Sequence, residues 1–143
     1  MKLAAAVGSA VSGGVLLAFS TFVMPALNRL GPERATVAMS SINVTAQRPP
    51  LMIVLFGTAV LTVATGIAGV RQRDGLLIVG SALFLVGVIG TTAGINVPLN
   101  DALAQGTTTW VDFYRSWMVA NHVRSLAGIA AAVLIGTAAI KAS

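Results

Sequence analysis

The chain has 143 residues, of which 56% are hydrophobic and only 9% are charged, and its mean hydropathy is +0.88. Soluble domains carry about 25% charged residues, so this composition excludes an ordinary soluble protein and indicates an integral membrane protein. The formal net charge is +5, but the nine basic residues are scattered over loops and ends of apolar segments, so nucleic-acid binding is not expected. With no cysteine, disulfides, thiolate metal sites and cysteine nucleophiles are excluded.

Four apolar stretches approach or exceed the roughly 20 residues that cross a bilayer as a helix. They cover residues 3–27, 51–70, 76–97 and about 117–140. The first is longer than the apolar region of a signal peptide and lacks a small-residue cleavage motif, so we expect it to be retained as a span. Barrel strands would alternate polar and apolar residues, which these runs do not. Residues 1–143 are therefore predicted to be one all-α domain, a four-helix transmembrane bundle in direct contact with the lipid bilayer.

The connection between the first two spans predicts a short amphipathic helix on the membrane surface. Its sequence is "NRLGPERATVAMSSINVTAQRPP", in which Pro32 suits the first turn of a helix. Ala35, Met39 and Ile42 then recur at helical spacing. The helix is expected to end before Pro49.

The last connection, "PLNDALAQGTTTWVDFYRS", is predicted to be long and partly helical, with Thr109 and Asp112 spaced as a capping box. The first span ends in "VMPALN" and the third in "NVPLND", which suggests a duplicated two-helix unit. Four spans place both long connections on one face of the membrane. Both termini and the short "RQRD" turn then share the other face.

Basic residues do not decide the orientation, because each face carries four of them. They are Lys2, Arg71, Arg73 and Lys141 on one side and Arg29, Arg34, Arg48 and Arg115 on the other. Those in the long connections lie among candidate site residues and have a functional reason to be there. We therefore favour a multi-pass protein with both termini in the cytoplasm.

Small residues recur at fourfold spacing within the spans. The pairs and triplets are Ser9 and Gly13, Gly90 and Gly94, and Gly128, Ala132 and Gly136. Such faces let helix backbones approach closely. Packing inside one bundle accounts for them, and a homo-oligomer formed through one of these faces is the alternative.

A polar stripe occurs where the last apolar run begins, in "WMVANHVRS". At 100° per residue, Tyr114, Trp117, Asn121 and Arg124 fall within about 80° of one another, while His122 borders the stripe about 100° from Asn121. Arg124 would lie about 10 Å deep if the bilayer begins near Trp117. Intramembrane charges usually face a bundle interior or a wet cavity, and snorkelling to the headgroups is the alternative.

Partners for this stripe are expected near the end of the third span. Asn96 and Asn100 lie there at fourfold spacing, and we expect them to face the stripe across an internal cavity. Alternatively, both asparagines satisfy backbone groups freed near Pro98. Met39 and Asn43 of the surface helix are expected to close the cavity from above.

These motifs together resemble the anthrone oxygenase-like family of small four-helix membrane proteins. The resemblance rests on "NVPLN" after the third span, "W-x-x-x-N-H-x-R" in the fourth, "FVMPAL" closing the first and "MSSIN" in the first connection, and it runs from about residue 15 to 128. It implies oxidation of an anthrone, a reduced tricyclic aromatic polyketide, to an anthraquinone by O2. It also implies that neither an organic cofactor nor a metal is needed.

The residues allow such a reaction to be assigned to named side chains. A cofactor-free oxygenation needs a base, donors for an enolate and a water-poor pocket. His122 is the leading base by its chemistry, and Asp101 is the second candidate. The predicted donors are Arg124, Asn96, Asn100 and Asn121, and the predicted flat walls for a lipophilic aromatic ligand are Trp117, Tyr114 and Phe22.

Two other classes of function are weighed against the oxygenase. The single histidine rules out bis-histidine ligation, and His122 with a methionine would undersupply a haem or copper site within one chain, so no cofactor and no metal are expected. The stronger rival is a non-catalytic membrane module that binds a lipophilic ligand or a partner protein through the same cavity.

Overall fold

A computed structural model describes residues 1–141 of the protein, and the regular elements in this range are all helices. Helices α1 (Lys2–Asn28), α3 (Leu51–Gln72), α4 (Gly75–Ala104) and α5 (Trp110–Lys141) are each long and apolar enough to cross a membrane. Helix α2 (Pro32–Ala46) joins α1 to α3, and Gly31 before it has a φ of 83°, which glycine adopts without strain. The predicted all-α bundle, with an additional helix in the first long connection, is confirmed.

The last connection is more helical than its sequence indicates. Helix α4 continues through Pro98 to Ala104, and α5 begins at Trp110, which leaves only residues 105–109 between them. Thr109 caps α5 as predicted, since the Asp112 N–H donates to Thr109 Oγ1 at 3.2 Å. The Asp112 carboxylate accepts from the Thr109 hydroxyl at 2.8 Å rather than from the backbone N–H of a full capping box. These extensions bring more of the polar residues onto rigid helices.

The N-terminus and the turn after α3 lie at the same end of the bundle, here called the turn end. Lys2 Nζ donates a hydrogen bond to Gln72 Oε1 at 3.1 Å. The Asp74 N–H donates to the Gly69 carbonyl at 2.9 Å, and the Asp74 carboxylate accepts the Leu76 N–H at 3.0 Å. Both long connections are therefore at the opposite end, called the connection end, as the four spans predict.

Close backbone contact joins α1 to α5. A Cβ added at Gly13 would lie 2.9 Å from the Ile129 nitrogen, and one at Gly128 would lie 2.9 Å from the Gly13 Cα. These small residues therefore serve packing inside the bundle. Gly94 has nothing within 4 Å of such an added Cβ and lies on the exposed surface of α4. The predicted homo-oligomer stays a prediction.

An apolar cluster at the connection end holds α2 against the bundle. Its buried members come from α1, α2, α4 and α5: Met24, Leu27, Ala35, Met39, Leu103, Trp110, Phe113 and Trp117. Burial of these large aromatic and apolar side chains stabilises the packing of α2 on the bundle. The cluster covers the connection-end side of the polar residues of α4 and α5.

Candidate functional site

A cavity of about 310 Å³ lies at the connection end, beneath α2 and among the four long helices. Its lining residues are Ser12, Val15, Leu16 and Phe19 of α1; Met39, Ile42, Asn43 and Ala46 of α2 with Gln47 after it; Leu51, Met52, Leu55 and Phe56 of α3; Val88, Ile89, Thr92, Ala93, Val97 and Asn100 of α4; and Trp117 and Arg124 of α5. Pockets for small molecules span about 300–1000 Å³ and are mostly apolar with a few placed polar groups. The cavity has this character.

Arg124 is the most strongly held polar side chain on the cavity wall. It is only 6% exposed. Its Nη2 donates to Asn121 Oδ1 at 2.6 Å, and its Nη1 donates to Thr92 Oγ1 at 3.2 Å. Its Cζ lies 5.2 Å from the centre of the Trp117 ring, within cation–π range. The Arg124 Nε is buried and has no hydrogen-bond partner among the described residues.

No acidic side chain within residues 1–141 lines the cavity beside this guanidinium. Both hydrogen bonds of Arg124 go to neutral oxygens. A buried cation is costly in hydrocarbon unless it is paired, and here the pairing is left to dipoles and an aromatic face. The cavity therefore presents one net positive charge to whatever occupies it.

Asn121 positions the guanidinium by linking α5 to α1. Its Nδ2 donates to the Leu16 carbonyl and to Ser20 Oγ, each at 2.8 Å, while its Oδ1 accepts from Arg124. Both amide protons and the carbonyl are thus used. Because Asn121 is fully buried and satisfied, its orientation is fixed, and it fixes that of Arg124.

Trp117 rather than Arg124 contacts the two asparagines of α4. Its Nε1 donates to Asn100 Oδ1 at 2.9 Å, and its carbonyl accepts from Asn96 Nδ2 at 3.4 Å. Arg124 instead reaches Thr92, which lies one helical turn nearer the turn end. Helices α4 and α5 therefore meet through Trp117, the direct partner of both asparagines. The expected arrangement across the cavity is not found for Asn96 and Asn121, because neither lines the cavity and Asn121 bonds to α1.

Seven of the predicted site residues lie at this cavity. Those that line it are Met39, Asn43, Asn100, Trp117 and Arg124. Asn96 and Asn121 are buried directly behind the lining and hold Trp117 and Arg124 in place. The amide and guanidinium groups predicted as donors are therefore gathered in one region of the bundle.

Four predicted site residues lie elsewhere. The side chains of His122, Asp101 and Phe22 are exposed, and Tyr114 packs on the Trp110 ring with centroids 6.0 Å apart. His122 lies about 100° around α5 from the buried Asn121 and faces outward. Asp101 likewise lies about 100° around α4 from Asn100, which lines the cavity, and is exposed. Neither predicted base lines the cavity, and their catalytic roles stay predictions.

Three residues at the site were not predicted from the sequence. Ser20 is a hydrogen-bond partner of Asn121, and Phe19 and Gln47 line the cavity. Ser20 is a polar residue in an apolar span, but its match to Asn121 depends on the antiparallel alignment of α1 with α5. Phe19 replaces Phe22 as the aromatic wall on α1.

The sequence of the chain matches the model of one known protein family. The family model described as anthrone oxygenase matches residues 39–134, about two thirds of the chain. The match includes the second half of α2, all of α3 and α4, and the part of α5 that carries Trp117, Asn121 and Arg124. Neither the curated proteins nor the solved structures that were searched gave a match. On the extent of the family match, the chain belongs to the anthrone oxygenase family.

Proposed function

We propose that the cavity binds a planar, lipophilic aromatic ketone of the anthrone type and that the protein promotes its oxidation by O2 to a quinone, without a cofactor. The observation that carries this proposal is the buried Arg124 guanidinium, which lines an apolar cavity with no carboxylate facing it among the described residues. Family membership supports the same chemistry.

The unneutralised charge favours a ligand that develops negative charge on oxygen. Preorganised donors in a water-poor site stabilise such charge far more than water does, because they need no reorganisation. Asn121 and Thr92 hold the guanidinium but leave its Nε without a partner. Three of its five N–H groups are unused by these bonds, and an enolate oxygen in the cavity is a suitable acceptor for one of them.

The reaction balances with O2 as the sole oxidant. An anthrone has a CH2 group opposite its carbonyl, and loss of one C–H proton to water gives an enolate whose oxygen would lie against Arg124. The enolate passes one electron to O2, which gives a carbon radical and superoxide. These two radicals form a C–O bond, and protonation of the resulting peroxide anion gives a hydroperoxide. Loss of the second C–H proton, cleavage of the O–O bond and release of water leave the second carbonyl. One anthrone and one O2 thus give one quinone and one water.

The walls of the cavity suit a flat polycycle. Trp117 and Phe19 contribute ring systems whose centres are 6.0 Å apart, and Phe56 lies on the α3 side. Aromatic side chains pack favourably against aromatic ligands in offset or tilted arrangements. The remainder of the lining is mostly apolar, so few waters compete with Arg124 for the enolate oxygen.

The test uses purified protein in lipid nanodiscs with a dihydroxyanthrone as substrate. Quinone absorbance and O2 uptake are followed together for the wild type, Arg124→Gln and the exposed control Arg115→Gln. We expect Arg124→Gln to lower the rate about 10²- to 10³-fold, the usual cost of losing one oxyanion donor. Arg115→Gln should match the wild type. An Arg124→Gln rate equal to wild type would contradict the proposal.

A non-catalytic binding module is the second candidate. It is favoured by one observation: His122 and Asp101 are exposed and do not line the cavity. In that case the product analogue dihydroxyanthraquinone would quench tryptophan fluorescence on binding, while dihydroxyanthrone would oxidise no faster than in empty nanodiscs. The same samples therefore separate the two functions.

A further inference from the structure

Helices α3 and α4 pack tightly at the turn end and leave room between them at the connection end. A Cβ added at Gly69 would lie 2.8 Å from the Leu77 Cβ, and one at Gly66 would lie 3.1 Å from the Ser81 Cβ. The cavity occupies the space between the first two turns of α3 and the part of α4 from Val88 onward. The two helices thus form a cleft with its open end toward the connections.

Three lining residues of this cleft also face the outside of the bundle. Phe56 is 61% exposed, Val97 is 44% exposed, and Ala93 is exposed as well. All three lie within the helices that are long and apolar enough to cross a membrane. Phe56 is five residues into α3, about 7–8 Å along the helix at 1.5 Å per residue. This distance from the start of α3 and the apolar side chains of the rim favour contact with lipid over contact with water.

The edge of the opening nearest α2 is polar. Asn43 and the exposed Gln47 lie there, at the level where α2 ends and α3 begins. The opening is thus apolar toward the turn end and polar toward the connection end. An amphiphilic aromatic at the membrane interface has the same polarity, because its rings contact acyl chains while its oxygens remain near the headgroups.

We propose that the ligand enters the cavity sideways from the bilayer, through a portal bounded by Phe56 of α3 and by Ala93 and Val97 of α4. This inference rests on the proposed function and specifies its substrate class as aromatics dissolved in the membrane rather than in water. The polar edge of the ligand then turns inward to Arg124, whose positive charge is complementary to a phenolate or enolate oxygen.

The chain contains no cysteine, so a single introduced thiol gives a reversible block of the portal. Ala93→Cys is compared with Gly94→Cys, whose position is exposed, has open space around it and does not line the cavity. Each variant is modified with a benzyl methanethiosulfonate in nanodiscs, and association of dihydroxyanthraquinone is followed by stopped-flow tryptophan quenching. Reduction removes the label from the same folded sample.

We expect the label at residue 93 to slow association about ten-fold or more, since a blocked route lowers the association rate directly, and reduction to restore it. The label at residue 94 should leave the rate unchanged. Equal association rates for both labelled variants would overturn the portal. Slowing by a label on Gln47→Cys but not on Ala93→Cys would also overturn it, in favour of entry from the aqueous side.

Failure of the portal is distinguishable from failure of the proposed function. If Arg124→Gln binds dihydroxyanthraquinone as tightly as the wild type does, the oxyanion site is wrong whatever the labels do. If Arg124→Gln weakens binding but labelling at residue 93 has no effect on the rate, the site stands and the lateral route is wrong.

Discussion

At the scale of single residues, Arg124 explains why its neighbours are polar. A guanidinium at this depth requires acceptors and an aromatic face, and Asn121, Thr92 and Trp117 supply them. An arginine suits this position better than a lysine would, because its planar fork serves two acceptors at once and stacks on a ring. Two of the five guanidinium N–H groups are used in this way, and Arg124 still lines the cavity.

The exposure of His122 and Asp101 gives a testable consequence for the proton transfer. We expect His122→Ala and Asp101→Asn each to change the rate of dihydroxyanthrone oxidation by less than about two-fold, because neither side chain reaches the cavity. Initial rates of quinone formation at saturating and at low substrate measure this.

A general base would behave differently. Its removal typically costs about 10²- to 10⁴-fold in rate with little loss of binding. Such a loss in either variant would restore that residue as the base and would require the exposed side chain to move to the substrate.

At the scale of elements, a π-helical stretch lies just before the proline inside α1 and just before the proline inside α4. Phe19–Val23 comes directly before the Met24–Pro25 step of α1, and Thr92–Asn96 comes directly before the Val97–Pro98 step of α4. Proline lacks an N–H and crowds the carbonyl four residues earlier, which usually ends or kinks a helix. Here both helices continue beyond the proline, to Asn28 and to Ala104. This shared feature is consistent with the suggested duplication.

An indole-to-asparagine hydrogen bond follows each proline. Trp110 Nε1 donates to Asn28 Oδ1 at 2.8 Å, and Trp117 Nε1 donates to Asn100 Oδ1 at 2.9 Å. The two tryptophans are seven residues apart and therefore lie on one face of α5. They tie the ends of α1 and α4 to the same helix and hold the connection end closed above the cavity.

The α1–α5 contact provides a prediction at this scale. We expect Gly13→Leu to lower the free energy of unfolding by about 1–3 kcal/mol, because its side chain would overlap backbone atoms of Gly128 and Ile129. The adjacent Gly14→Leu is the matched control, since nothing lies within 4 Å of its added Cβ. Thermal unfolding in detergent compares the two. Equal stability of the variants would show that the contact is looser than described.

The elements also show what could and could not be predicted from the sequence. Apolar run length predicts the four spans, and Pro32 and Thr109 mark the starts of helices correctly because caps are local. The end of α4 could not be predicted, because the helix continues through Pro98, where a helix usually ends. Asn121 and Arg124 could be placed on one stripe, but the 60° between them sends one toward α1 and the other toward α4. The hydrogen-bond partners of Asn121 and Arg124 depend on how the helices pack, and hydrophobic periodicity alone does not specify this packing.

At the scale of the whole molecule, the polar chemistry lies at one end of an asymmetric bundle. Helix α5 has 32 residues and is about 48 Å long at 1.5 Å per residue, whereas a hydrocarbon core is about 30 Å thick. The excess length permits its first turns to pack on α2 outside the hydrocarbon region. The cavity would then lie near the interface, where an amphiphilic ligand is most concentrated.

The topology is open to direct measurement. We expect Lys2→Cys and Arg73→Cys to react with a membrane-impermeant maleimide from the same side, because Lys2 and Gln72 are hydrogen-bonded at the turn end. Gln105→Cys, between α4 and α5, should react from the opposite side. Labelling of residues 2 and 73 from different sides would contradict the four-span arrangement.

Arg124 is proposed to bind a ligand oxyanion through its unneutralised charge, and the ionisation of a bound chromophore tests this most directly. Dihydroxyanthraquinone changes colour when its phenol ionises, so a pH titration of its absorbance in nanodiscs reports the pKa of the bound ligand. We predict that the wild type lowers this pKa relative to empty nanodiscs and that Arg124→Gln removes the shift while Arg115→Gln retains it. A ligand that binds the wild type with no change in its pKa, or with the same change in Arg124→Gln, would contradict the account.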